Sequence, residues 1–166
     1  MLKTIDSARM RRMGFLALLF TLAATLVTLV NPLPARADVV RNVTNIGIGL
    51  QLSSNFGDGT TGDVFTVAAS SSIYHDWYIV DGNNEFINSG TSKCLSSNFG
   101  NGSSGDVYTV PCSGSVYQNW RRVTGTVSGG TQIINVGTGW CLSSNFAGDV
   151  YTVECSGAIY HNWKFA

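Results

Sequence analysis

Cys94-Leu-Ser-Ser-Asn-Phe99, Gly105-Asp-Val-Tyr-Thr-Val110 and Tyr117-Gln-Asn-Trp120 recur downstream as Cys141-Leu-Ser-Ser-Asn-Phe146, Gly148-Asp-Val-Tyr-Thr-Val153 and Tyr160-His-Asn-Trp163. Upstream the same order appears once more, as Leu52-Ser-Ser-Asn-Phe56, Gly62-Asp-Val-Phe-Thr-Val67 and Tyr74-His-Asp-Trp77. Trp77, Trp120 and Trp163 stand 43 positions apart. A period of this size marks supersecondary units that bury their apolar faces only against one another. The copies run over residues 40–80, 81–123 and 124–166, to within a few positions. Inside a copy helical periodicity is absent. Short alternating runs such as Val107-Tyr-Thr-Val110 and Thr131-Gln-Ile-Ile134, bounded by Gly, Asn and Ser, read as strands joined by turns. The expectation is an all-β fold of three units closed around a shared core with pseudo-threefold symmetry, its centre built from Leu52, Leu95, Leu142 and the three tryptophans.

Differences between the copies carry as much information as the matches. Cys94 and Cys112 align with Gln51 and Ala69, so the first copy lacks both cysteines together. Joint absence predicts that they pair with each other, giving Cys94–Cys112 and Cys141–Cys155 and leaving the first copy unstapled. Each bridge is worth about 3 kcal/mol in the chain-entropy picture. Asp58-Gly-Thr-Thr61 and Asn101-Gly-Ser-Ser104 are extra relative to the third copy and have turn composition, so they read as loop extensions.

The N-terminus has a different character. Lys3, Arg9, Arg11 and Arg12 precede an apolar run from Gly14 to Val30, and Pro32 and Pro34 lead to Ala35-Arg-Ala37. A basic region, an apolar region and a small-x-small site are the layout of a secretory signal peptide, expected over residues 1–37. The rival is an uncleaved anchor, since about 17 apolar residues is the lower limit for spanning a bilayer. The proline break and the alanines favour cleavage. Residues 38–166 then carry five basic and nine acidic side chains, a net charge of −4. An acidic exported domain without a basic cluster is a poor partner for nucleic acid or anionic membranes. An even cysteine count fits an oxidising, extracellular location. Asn42-Val-Thr44 and Asn101-Gly-Ser103 are glycosylation sequons that matter only in a glycosylating host.

Three repeats of about forty residues, each closing on Q-x-W, are similar to the ricin B-type β-trefoil lectins. The resemblance runs from about Asn45 to the last residue. Only the second copy keeps the glutamine, as Gln118-Asn119-Trp120; His75 and His161 replace it in the others. The finer pattern, leucine then S-N-aromatic, G-x-V-Y-T and Y-x-x-W, is most similar to small mannose-binding members. The resemblance implies one shallow sugar site per copy, with three contacts carried over. The first aromatic is Phe65, Tyr108 or Tyr151; the apolar residue is Val67, Val110 or Val153; the second aromatic is Tyr74, Tyr117 or Tyr160. Two polar positions depart. Ser53, Ser96 and Ser143 stand where an aspartate is implied, and Ser70, Ser113 and Ser156 where an asparagine is. Losing a carboxylate costs roughly 1 kcal/mol or more per site, because charged hydrogen bonds exceed neutral ones.

Alternate residues of a strand share a face. Asp63, Asp106 and Asp149 therefore lie on the face of Phe65, Tyr108 and Tyr151, where they could supply the missing carboxylate; the competing reading is a turn aspartate that satisfies nearby backbone N–H groups. His75 and His161 fit a hydrogen-bonding role in a turn better than a metal pair or catalytic base. Trp140, standing where Lys93 and Leu50 stand in the other copies, would extend the third site or merely be an exposed ring. No nucleophile elbow, zinc helix or P-loop occurs, and no free cysteine remains. Glycosidases need two carboxylates at a set separation, whereas these aspartates come one per repeat. Neither an enzyme, a cofactor nor a metal is expected. The reading is a secreted, monomeric lectin that binds glycans or polysaccharide through up to three avidity-dependent sites. The second and third copies, each with two tyrosines and a disulfide, are expected to be the better ones. The alternative is a trefoil that has lost sugar binding and recognises a protein, as an inhibitor or toxin-like module.

Overall fold

A computed structural model describes residues 39–82 and 84–166; the expected signal peptide lies outside them. Each copy contributes four strands. The first has β1 (Val39–Asn45), β2 (Gln51–Ser54), β3 (Gly62–Val67) and β4 (Asp76–Val80). The second has β5 (Glu85–Asn88), β6 (Cys94–Ser97), β7 (Gly105–Val110) and β8 (Trp120–Thr124). The third has β9 (Thr131–Asn135), β10 (Cys141–Ser144), β11 (Val150–Val153) and β12 (Asn162–Phe165). A single 3-10 turn precedes the last strand of each copy: Ile73–His75, Val116–Gln118 and Ile159–His161.

The outer strands of the copies pair in a ring. β1 pairs with β4, β4 with β5, β8 with β9, β9 with β12, and β12 with β1. A bridge from Glu85 to Asn119 links β5 to β8 and completes the circle. A closed barrel leaves no unpaired strand edge. The middle strands form three hairpins, β2–β3, β6–β7 and β10–β11. These also meet in a circle, β3 against β7, β7 against β11, and Phe65 bridging to Asp149. Six barrel strands capped by three hairpins are the β-trefoil.

The core repeats in threes. Leu52, Leu95 and Leu142 are fully buried with Trp77, Trp120 and Trp163, as are Val43, Phe86 and Ile133 from the first strand of each copy. A buried indole needs an acceptor for its N–H. Trp77 donates to the Leu52 carbonyl at 3.1 Å, Trp120 to Leu95 at 2.9 Å and Trp163 to Leu142 at 2.9 Å. Both disulfides expected from the repeat are formed, Cys94–Cys112 and Cys141–Cys155.

Buried hydroxyl pairs join one copy to the next. Ser54 meets Thr109 at 2.8 Å, Ser97 meets Thr152 at 2.8 Å, and Ser144 meets Thr66 at 2.7 Å. Removing one member strands its partner away from water, whereas removing both does not. Ser54 also donates to the Asn55 carbonyl at 3.3 Å, so the change that leaves its partner alone is Ser54→Ala, which should cost about 1–3 kcal/mol, and adding Thr109→Val should recover part of that loss. Urea denaturation of the two variants checks this order.

Candidate functional site

In β3 the side chains alternate: Val64 and Thr66 are buried, and Asp63, Phe65 and Val67 face outward. β7 repeats this pattern, and Val150 and Thr152 of β11 are buried in the same way. Outward-facing Phe65 and Val67 form one wall of a groove of about 340 Å³, with Ser53, Ser54, Asn55 and Phe56 at the end of β2 and Ser72, Tyr74 and His75 on the 3-10 turn. The third copy forms a groove of about 220 Å³ lined by Ser144, Asn145, Phe146, Tyr151 and Tyr160. The first-copy groove is thus the larger of the two in volume.

The tyrosine of each 3-10 turn is placed by its neighbours. The Tyr74 carbonyl accepts from Asn88 Nδ2 at 2.7 Å, that of Tyr117 from Asn135 at 2.7 Å, and that of Tyr160 from Asn45 at 2.7 Å. All three asparagines are fully buried, and each belongs to the following copy in the ring. Their rings lie against glycine: a Cβ at Gly90, Gly137 or Gly47 would overlap Tyr74, Tyr117 or Tyr160. Ser53 and Ser96 donate to the same carbonyls, of Tyr74 and Tyr117, at 3.2 and 3.3 Å. These serines, like Ser143, are buried. Where the resemblance implies a sugar-facing carboxylate, the first two copies have a hydroxyl turned inward to hold the tyrosine backbone.

Ser70, Ser113 and Ser156 sit apart from both grooves, beside the residue at the Q-x-W glutamine position. Gln118 Oε1 accepts from the Ser113 N–H at 2.8 Å, and His161 Nδ1 accepts from the Ser156 N–H at 3.1 Å. In the first copy Ser70 Oγ lies 3.3 Å from His75 Nδ1, which also meets Gln51 at 3.0 Å. In the third copy His161 Nδ1 thus stands in for the glutamine oxygen, whereas in the first His75 Nδ1 donates to Gln51 Oε1; both histidines hold the turn by hydrogen bonds.

Asp63, Asp106 and Asp149 line neither groove. Each carboxylate accepts from the S-S-N-F asparagine of its own copy, Asn55 at 3.1 Å, Asn98 at 3.3 Å and Asn145 at 2.9 Å. Strand register also sets each one opposite the aromatic of another copy, Asp63 against Tyr108, Asp106 against Tyr151 and Asp149 against Phe65.

Two features escape the sequence reading. Phe56, Phe99 and Phe146 are exposed and meet Tyr74, Tyr117 and Tyr160 edge-to-face, with centroids 6.1, 6.4 and 6.0 Å apart. Their triple recurrence between asparagine and a glycine-bearing loop, outside any strand, was the available signal. Trp140 does not extend the third site. It packs edge-to-face on Phe99 of the second, with centroids 5.6 Å apart. Position 93 behaves alike: Lys93 Nζ lies 6.0 Å from the Phe56 ring centroid and donates to the Phe56 carbonyl at 3.2 Å. A residue numbered in one copy covers the phenylalanine of the copy before it.

No protein-family model and no characterised protein sequence matches the chain. Solved structures do. The designed threefold-symmetric protein ThreeFoil is similar at 19% identity over 76% of this chain and 97% of its own, with a TM-score of 0.69. A ricin B-like lectin from Macrolepiota procera, solved with lactose, matches at 11% identity over 77% of this chain and 94% of its own, TM-score 0.63. SeviL, solved with asialo-GM1 saccharide, matches at 15% identity over 76% and 95%, TM-score 0.59. These likenesses establish the β-trefoil fold.

His161 makes the turn sensitive to pH. Burial lowers its pKa below the ordinary value of 6.5, and an Nδ1 proton would oppose the Ser156 N–H. A depressed folded pKa contributes stability that is complete above the unfolded value and lost as pH falls toward the folded one. Melting temperature should thus fall between about pH 7 and pH 5. His161→Gln, which reproduces the Gln118 contact, should flatten the part of that slope due to this residue.

Proposed function

We propose that the chain is a secreted carbohydrate-binding lectin with one shallow sugar site per copy. The observation that carries the reading is the edge-to-face phenylalanine–tyrosine pair repeated three times, exposed beside a groove with serine and asparagine at its edge. An aromatic wall takes the C–H face of a sugar ring, and a few convergent polar atoms fix its hydroxyls. Trefoils of similar architecture have been solved with lactose and with asialo-GM1 saccharide, which supports glycan as the ligand class. Three equivalent, shallow sites suit binding rather than catalysis, since weak contacts multiply on a branched or polymeric glycan. Residues 1–37 direct export and are removed, and the mature protein acts as a monomer with no cofactor.

In this reading Phe65, Tyr108 and Tyr151 with Tyr74, Tyr117 and Tyr160 form the aromatic contacts and Val67 and Val110 the apolar ones, while Val153 lines a neighbouring cavity with Trp140 instead of the third-copy groove. Asp63, Asp106 and Asp149 present a carboxylate to the aromatic opposite them, making up for the inward-turned Ser53 and Ser96. Ser70, Ser113 and Ser156 act at a distance, by holding the residue at the Q-x-W glutamine position of each turn. Terminal mannose is the first sugar to test, with galactosides beside it.

The experiment is a glycan array of mannans, galactosides and xylans probed with the exported, disulfide-bonded protein. Hits sharing one terminal sugar are expected. A blank array from folded, multivalently displayed protein overturns the reading. Replacing Phe56, Phe99 and Phe146 together by serine should remove binding while the protein still folds, at the cost of a lower melting temperature from the lost ring contacts, because all three rings are at the surface. Asp106→Asn should weaken binding at the third-copy site about tenfold, the difference between charged and neutral hydrogen bonds. Titration of a single-site sugar measures it.

A further inference from the structure

A fourth cavity, of about 400 Å³, lies where the second copy meets the third, lined by Gly102, Ser103, Trp140, Val153 and Glu154. We infer that it is an extension subsite, taking the next residue of a glycan chain whose terminal sugar sits at the second-copy site. The inference rests on the lectin reading above and adds to it a site that threefold symmetry does not generate.

The two functional side chains are fixed by covalent structure. Trp140 precedes Cys141 and Glu154 precedes Cys155, and the bridge between those cysteines holds their Cα atoms 4.9 Å apart. An aromatic ring and a carboxylate are thereby set side by side at the end of the β10–β11 hairpin. Ser103 arrives from the loop Asn101–Ser104, whose turn is closed by Asn101 Oδ1 accepting from the N–H groups of Ser103 and Ser104. A ring for the sugar face, an exposed carboxylate for a pair of hydroxyls and a further hydroxyl make a carbohydrate-binding set.

The subsite is continuous with the neighbouring site. Tyr117 meets Phe99 and Phe99 meets Trp140, each pair edge-to-face, so one aromatic path runs from the second-copy site into the cavity. The equivalent places in the other copies lack this set. Between the first and second copies Lys93 and Pro111 replace Trp140 and Glu154, and Lys93 is buried against Phe56. Between the third and first copies Leu50 and Ala68 stand there, with no disulfide and no loop extension. The chain therefore has one junction built for a longer ligand.

The four tryptophans supply a selective probe, because Trp77, Trp120 and Trp163 are fully buried and Trp140 alone is partly exposed. The full-length exported protein is titrated with mannose, mannobiose and mannotriose, and in parallel with galactose and lactose, following heat and tryptophan fluorescence. Affinity should rise with chain length, and only the oligosaccharides should perturb the fluorescence. Glu154→Gln, an exposed change that leaves folding intact, should lower oligosaccharide affinity about tenfold with monosaccharide affinity unchanged. Trp140→Leu should abolish both the chain-length gain and the fluorescence response. Sugar binding by the wild type with the same chain-length dependence in both variants overturns the subsite and leaves the lectin reading standing. Absence of any sugar binding by the folded wild type overturns both.

Discussion

Three buried primary amides hold this molecule together at its joints. Asn45, Asn88 and Asn135 each close the first turn of their own copy with one end, Oδ1 accepting from Gly47, from Gly90 and Thr91, and from Thr138. The other end donates to the tyrosine carbonyl of the preceding copy. A buried amide tolerates neither end unpaired. The turn and the tyrosine must therefore be correct together, and the tyrosine that lines each candidate site is positioned by residues more than ten positions away in sequence. Glycine beside the ring completes the constraint by leaving room for it. The hydroxyl pairs between hairpins impose the same demand on the other layer of the fold. The residues lining a groove come from one copy, and the next copy holds its tyrosine in place.

This sharing explains how like copies acquire unlike surroundings. The position that covers each phenylalanine comes from the next copy, and it is lysine over the first, tryptophan over the second and leucine in the sequence of the third. One change in a single copy thus alters the surroundings of the neighbour's phenylalanine while leaving its own core untouched. Phe146, uncovered by an aromatic or cationic partner of this kind, is also the most exposed of the three rings. Symmetry supplies the scaffold, and departures from it supply the differences in what each surface can hold.

Much of the fold was legible in the sequence because its determinants are local or repeat at a fixed interval. The leucine–tryptophan core, the disulfide pairing and the outward face of Asp63, Phe65 and Val67 follow from the period and from strand alternation. The inward turn of Ser53 and Ser96 was not legible, since a serine after leucine in a strand does not announce that its acceptor is a tyrosine carbonyl 21 positions on. The contact of Trp140 with Phe99 was not legible for a related reason: sequence groups residues by copy, whereas the barrel groups them across the joint. Phe56, Phe99 and Phe146 are visible in the sequence only as the last residue of a repeated motif, because no strand alternation shows which way their rings face.

The ring of strands closes through β1 and β12, and Asn42 and Ala166 exchange both of their backbone hydrogen bonds at 3.1 Å. The first described strand therefore waits for the last. The same seam sets the first described strand beside the last, and strands β1–β12 joined across it and opened at a surface turn instead would describe the same circle.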